Sequence, residues 1–119
     1  MKFISHEDNV GNEHVLKGIK SLHGKIFQTD ISDLSKIMND KKRLFVCAAT
    51  DNEKVSGYKV GYERKEKQYY SWIGGIHHDY RRKGIGSHLM RIQHEWCQCH
   101  GYETIQTNVL NKIRYRGII

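Results

Sequence analysis

Arg81-Arg82-Lys83-Gly84-Ile85-Gly86 is the stretch on which the reading of this chain turns. Before it, Tyr69 to Ile76 is rich in aromatic and β-branched residues and reads as a strand. After it, Ile85, Leu89, Ile92 and Trp96 recur at four, three and four residues, the spacing of an amphipathic helix. Gly101 stands where that helix should stop. The six residues therefore join a strand to a helix start, where backbone N–H groups lack partners and the helix dipole is positive. An anion binds there readily. Gly84 and Gly86 let the backbone approach a bulky phosphate, and Arg81, Arg82 and Lys83 surround it with charge and guanidinium donors.

Other phosphate loops fit less well. No Lys-Ser or Lys-Thr pair follows the glycines, as a nucleotide P-loop requires. Ser87, His88 and Leu89 follow Gly86 with no third glycine, so the dinucleotide fingerprint is incomplete. An ordinary basic turn ahead of a core helix is the plain alternative.

Outward from this unit the chain reads as mixed α and β. Residues 2–6 suit a first strand. Val15, Ile19, Leu22 and Ile26 make one apolar stripe on a helix. A short second helix is predicted from Ile31 to Asn39, with Asp30 as its cap. Leu44–Thr50 and Lys54–Tyr62 read as strands around the turn Asp51-Asn52-Glu53-Lys54. Arg64-Lys65-Glu66-Lys67 is a charged turn before the strand Tyr69–Ile76, so three neighbouring strands predict an antiparallel meander. Tyr102 to Leu110 alternates as a further strand. The expected fold class is α+β: a twisted, mostly antiparallel central sheet flanked by helices, in one domain over residues 1–119.

The 119 residues suffice for one domain. The net charge of +7 favours an anionic partner, either a phosphorylated cofactor or nucleic acid. No apolar run has the length of a membrane span, and the N-terminus turns acidic too early for a secretory leader, so a cytoplasmic protein is expected. Cys47, Cys97 and Cys99 give no disulfide framework. Cys97 and Cys99, near His94 and His100, invite a zinc reading, but residues two apart on a helix face different ways and no metal is expected.

Tyr70 to Gly86 resembles the central motif of the GCN5-related N-acetyltransferases (GNAT), R/Q-x-x-G-x-G/A, which falls on Arg81, Gly84 and Gly86. Asp79-Tyr80, Ser87-His88-Leu89-Met90 and Thr107-Asn108-Val109-Leu110-Asn111 are also similar to the family, as is the order of elements from residue 1 to 111. The resemblance implies a GNAT-like three-layer fold and an acetyl-coenzyme A-dependent N-acetyltransferase. The cofactor would lie in a V-shaped gap between the strands at Tyr69–Ile76 and Tyr102–Leu110. Gly74, Gly75 and Ile76 would pair with its pantetheine arm, and Arg81, Arg82, Lys83, Gly84, Ile85, Gly86 and Ser87, with Asn111, would complete the cofactor site. An unidentified amine would attack the thioester directly. Glu63, His77 and His78 are candidates for the base by position. Tyr115 is a candidate for the acid that protonates the thiolate, a role the family gives to a tyrosine in its last helix.

Two departures stand out. His78 takes the place of a proline that stiffens this turn in the family. The tail Lys112–Ile119 shows no apolar stripe and is interrupted by Gly117, where the family continues through a helix and two strands. A C-terminally truncated domain is therefore expected, with the strand at Tyr102–Leu110 bare on one edge. A bare edge invites pairing, so a homodimer by exchange of elements is expected. Two other readings accompany the enzyme. One is a truncated, catalytically weak coenzyme A-binding domain. The other is a small basic nucleic-acid-binding protein with Tyr58, Tyr62, Tyr69, Tyr70 and Trp72 as a stacking platform.

Overall fold

The computed structural model describes residues 1–7, 13–27, 34–109 and 112–118. In chain order these form β1 (Lys2–Glu7), α1 (Glu13–Phe27), α2 (Leu34–Asn39), β2 (Phe45–Asp51), β3 (Lys54–Lys65) and β4 (Gln68–Ile76). A single 3-10 turn, His78–Tyr80, then leads to α3 (Ile85–Cys99), β5 (Thr104–Val109) and β6 (Lys112–Ile118). The elements expected from the sequence are present. The α2 start expected at Ile31, with Asp30 as cap, lies outside the described residues.

All six strands stand in one sheet in chain order. Four of the five pairings are antiparallel, and β4 with β5 is the parallel one. The β2–β3 turn places Asn52 and Glu53 at φ of 50° and 68°. Two successive positive values suit the tight turns whose twist matches a hairpin.

Alternation along β2 explains the layers. Val46 and Ala48 point to one face, with Val15, Ile19 and Leu22 of α1 and Met38 of α2. Phe45, Cys47 and Ala49 point to the other, with Ile85, Leu89, Trp96 and Cys97 of α3. β2 is thus buried on both sides, which is why it reads as an unbroken apolar run. The same alternation corrects the stacking platform. Tyr58 is buried on the α1 side and Tyr69 on the α3 side, so Tyr69 leaves the platform, while Tyr62 stands edge-on to Tyr70 and Trp72.

The tail also corrects an expectation. Lys112–Ile118 is a strand that pairs antiparallel with β5, so β5 is not a bare edge. Lys112, Arg114 and Arg116 alternate with Ile113 and Tyr115, a period of two that a search for a helical stripe passes over. Gly117 falls where the register shifts between Thr104 and Gln106, as a glycine at a bulge does.

Two irregularities shape the middle of the sheet. The β4–β5 ladder runs from Gln68–Thr104 to Ser71–Thr107 and has no pair beyond. On the other side of β4 the register steps from Gly61–Ser71 to Val60–Ile73, which leaves Trp72 as an extra, bulged residue. Gly61 sits at this step under α3. A Cβ there would lie 2.4 Å from Tyr69 Cε2, 2.7 Å from the Tyr70 carbonyl oxygen and 2.8 Å from Gln93 Nε2. Gly61→Ala should therefore destabilise the fold by about 1–3 kcal/mol through overpacking, read as a lower urea midpoint at unchanged slope.

Candidate functional site

The site begins where β4 loses its neighbour. Ser71 and Thr107, the last ladder pair, are buried, whereas Trp72 through Ile76 are partly exposed. These five residues keep β3 on one side and have no ladder partner on β5 on the other. The result is a wedge between two diverging parallel strands, with Gly74, Gly75 and Ile76 along one wall.

The turn after β4 is held by side chains whose structural role has no trace in the sequence. His77 caps the 3-10 turn, its Nδ1 accepting from the Asp79 N–H at 3.1 Å. This bond fixes the turn, and the side chain is buried. Burial, with Lys54 nearby, holds His77 below the usual histidine pKa, so it is neutral at pH 7. His78 is exposed, with Nε2 at 3.0 Å from Asp79 Oδ1. The Tyr80 hydroxyl donates to Asp51 Oδ2 at 2.8 Å and ties the turn to the β2–β3 hairpin.

The basic loop follows directly. Arg81 Nε donates to the Ile76 carbonyl oxygen at 3.2 Å, which locks the loop to the end of β4. Arg82 has φ of 63°, and Lys83 Nζ lies 5.6 Å from the Tyr80 ring centroid. Gly84 is the N-cap of α3 at φ 80°. A Cβ on Gly84 would meet nothing within 4 Å, so backbone conformation and not crowding demands glycine there. Ile85 is buried and anchors the helix start, while Arg81, Arg82, Lys83, Gly84, Gly86 and Ser87 are exposed around it. Their arrangement is a cationic rim around an open helix N-terminus at the mouth of the wedge.

The remaining candidates are scattered. Glu63 Oε2 meets Lys42 Nζ at 2.7 Å, and its Oε1 accepts from the Tyr102 hydroxyl at 2.8 Å. Lys42 chiefly, with Tyr102, holds the Glu63 carboxyl below the usual range. Tyr115 lies in β6 opposite Gln106, in a strand and not a helix. Asn111 and Leu110 are outside the described residues. Cys97 is buried and pushed up to about 12 by burial, whereas Cys99 is exposed, so the pair points to two sides of α3. Among the described residues, the cluster with metal-ligand spacing is His77, His78 and Asp79.

The sequence matches the family model described as acetyltransferase (GNAT) family over residues 16–115. No curated protein matches it significantly. Its fold is shared with an aminoglycoside acetyltransferase from an uncultured soil metagenomic sample, solved with sisomicin, at 18% identity and TM-score 0.72 over 91% of this chain and 76% of that one. Tetrahymena GCN5 gives 16% identity and TM-score 0.74 over 93% and 72%. An aminoglycoside 6'-N-acetyltransferase complexed with coenzyme A gives 16% and 0.75 over 89% and 61%.

Two outcomes are expected. Replacing Gly84 by Glu should abolish binding of inorganic pyrophosphate at the start of α3 in calorimetry, because it places a carboxylate in the open space before the helix start. Gly86→Ala, whose methyl would sit 3.8 Å from Ile76 Cγ1, should keep both fold and binding. Separately, the lowered Glu63 pKa means that its ion pair contributes stability above the unfolded carboxyl pKa and loses it as pH falls through the folded value. Glu63→Gln should thus lower stability at pH 7 by less than about 1 kcal/mol, Lys42 being exposed, and have no effect near pH 2.

Proposed function

The chain belongs to the acetyltransferase (GNAT) family, and on that premise we propose that it transfers the acetyl group of acetyl-coenzyme A to an amine. One observation carries this reading: the strand that parts from its neighbour after Ser71 runs within a few residues into the cationic start of α3. A peptide-like arm and a pyrophosphate, joined in one molecule, match those two features in that order.

Acetyl-coenzyme A supplies, when bound, a thioester that a neutral amine can attack. The protein's part is to hold and polarise it. Main-chain groups of Gly74, Gly75 and Ile76, which have no ladder partner on β5, would bond to the pantetheine arm of the coenzyme instead. An N–H of this run, turned by the bulge at Trp72, would donate to the thioester carbonyl. Arg81, with its Nε already committed to Ile76, has its terminal amino groups to offer the pyrophosphate. Arg82, Lys83 and the backbone of Gly84 through Ser87 complete that cradle, and Asn111 is assigned to the cofactor by resemblance alone.

The amine must lose a proton. Glu63 is a poor acceptor, since Lys42 and Tyr102 already occupy its carboxylate. His77 is neutral, but its Nδ1 is taken by Asp79, so Nε2 carries the proton and cannot accept one. His78 is exposed on the turn, with its Nε2 against Asp79 Oδ1. We therefore assign deprotonation to water in the wedge. The acid role of Tyr115 would have to be filled from a strand.

Three free thiols and a requirement for acetyl-coenzyme A suit the cytoplasm. Self-association through the sheet would use an edge strand, β1 or β6. Charges on both, Lys2 and Glu7 on β1 and Lys112, Arg114 and Arg116 on β6, discourage strand pairing, so light scattering should report a monomer.

The decisive assay follows release of the coenzyme A thiol across a panel of amines. Amine-dependent release that Gly84→Glu removes is the expected result. Tight cofactor binding with no release for any amine would leave only the coenzyme A-binding reading.

A further inference from the structure

A cleft of about 340 Å³ opens between α1 and the β2–β3 turn, on the α1 side of the sheet. Leu22 and Val55 give it an apolar floor. Three lysines, Lys17, Lys25 and Lys54, line it against one carboxylate, Glu53. His14 Nε2 bonds to the Glu53 carbonyl oxygen at 2.8 Å and fixes the turn that forms one wall.

His77 closes the inner end of this cleft. Its side chain is largely buried, at 11% exposure. Because Nδ1 accepts from the Asp79 N–H, the neutral ring carries its proton on Nε2. Nε2 is therefore the donor of a ring that lines the cleft. Burial, Lys54, His78 and Lys25 all disfavour a charge on this ring, against Asp79, which favours one. Lys25 and Lys54 line the same cleft as His77, so a neutral donor and two ammonium groups share its wall.

We propose that this cleft is a second phosphate-binding site, with His77, Lys25 and Lys54 as its donors, separate from the loop Arg81–Ser87. A phosphate group fits the chemistry because it accepts from neutral and charged donors at once. The apolar floor accommodates the carbon part of a phosphate ester. Two sources supply such a group: the 3'-phosphate of the coenzyme itself, or an independent phosphate ester. The site bears on the cofactor loop in either case, because His77 follows the last residue of β4 and caps the turn leading to Arg81.

The test is a titration of the whole chain with inorganic phosphate, followed by NMR of the histidine rings, against chloride at matched ionic strength. A saturable shift at His77 Nε2 is expected for phosphate and not for chloride. Lys25→Gln/Lys54→Gln, both surface changes, should keep the melting temperature and weaken phosphate by roughly fivefold or more. Gly84→Glu should leave this titration unchanged. A non-saturating shift, an unaltered double variant, or loss of the shift in Gly84→Glu would each overturn the proposal. Coenzyme A and dephospho-coenzyme A then separate the sources. If the double variant loses affinity for coenzyme A alone, the 3'-phosphate is the occupant. If it weakens inorganic phosphate and leaves both coenzymes equal, the occupant is an independent ester. The phosphate arm needs no cofactor binding, so it stands or falls apart from the acetyltransferase reading.

Discussion

The parallel ladder between β4 and β5 holds from Gln68–Thr104 to Ser71–Thr107, and the site is built where it ends. Backbone amides in a sheet need partners. Beyond Ser71 the β5-facing edge of β4 has none in the ladder, so this stretch stays partly exposed while the strands on either side of it pack tightly. The bulge at Trp72 adds twist at the same point and turns the strand away. β6 takes over the support of β5, pairing Asn108 with Ile113 and Val109 with Lys112 past the last β4 contact. The wedge is therefore held from both sides, by β3 behind β4 and by β6 behind β5.

The phosphate-facing end inherits its position from the core. Ile85 and Leu89 are buried against the sheet, so the first turn of α3 cannot drift. Tyr80 bonds to Asp51, Arg81 to the Ile76 carbonyl, and His77 caps the turn between them. Only one residue of this assembly has to be glycine for conformational reasons, Gly84 at φ 80°. The loop thus combines a rigid base with exposed cations.

What could be read from the sequence was whatever has a period or a turn residue behind it. The α1 stripe at Val15, Ile19 and Leu22 is buried, and Ile26 packs beside it. The strand, glycine loop and helix around Gly84 are in place because each part has its own local signal. β6 escaped because its alternation carries charges where a core strand would carry polar neutrals, and because Gly117 looked like an interruption and is a bulge. Tyr69 drops out of the aromatic platform for a simpler reason: neighbours on a strand face opposite ways, as Tyr69 and Tyr70 do. The His77 cap and the Arg81 bond have no periodic trace at all. They depend on where the chain turns after Ile76, which only three dimensions fix. The acceptor pocket stays unread, since no motif in the chain specifies it.

The order in which this sheet can form follows from its one parallel joint. β2, β3 and β4 are linked by tight turns, at Asn52-Glu53 and at Glu66-Lys67, so their pairing closes only short loops. Joining β4 to β5 requires all of α3 to be placed first, and such non-local pairing is slow to be rewarded. With the β1–β2 joint, which must wait for α1 and α2, the wedge is accordingly a late seam of the sheet to close. A ligand lying along that seam would act on the folding equilibrium directly, contributing about 2.7 kcal/mol at a hundred times its Kd. In a cell, the supply of cofactor would then help decide how much of this chain is folded.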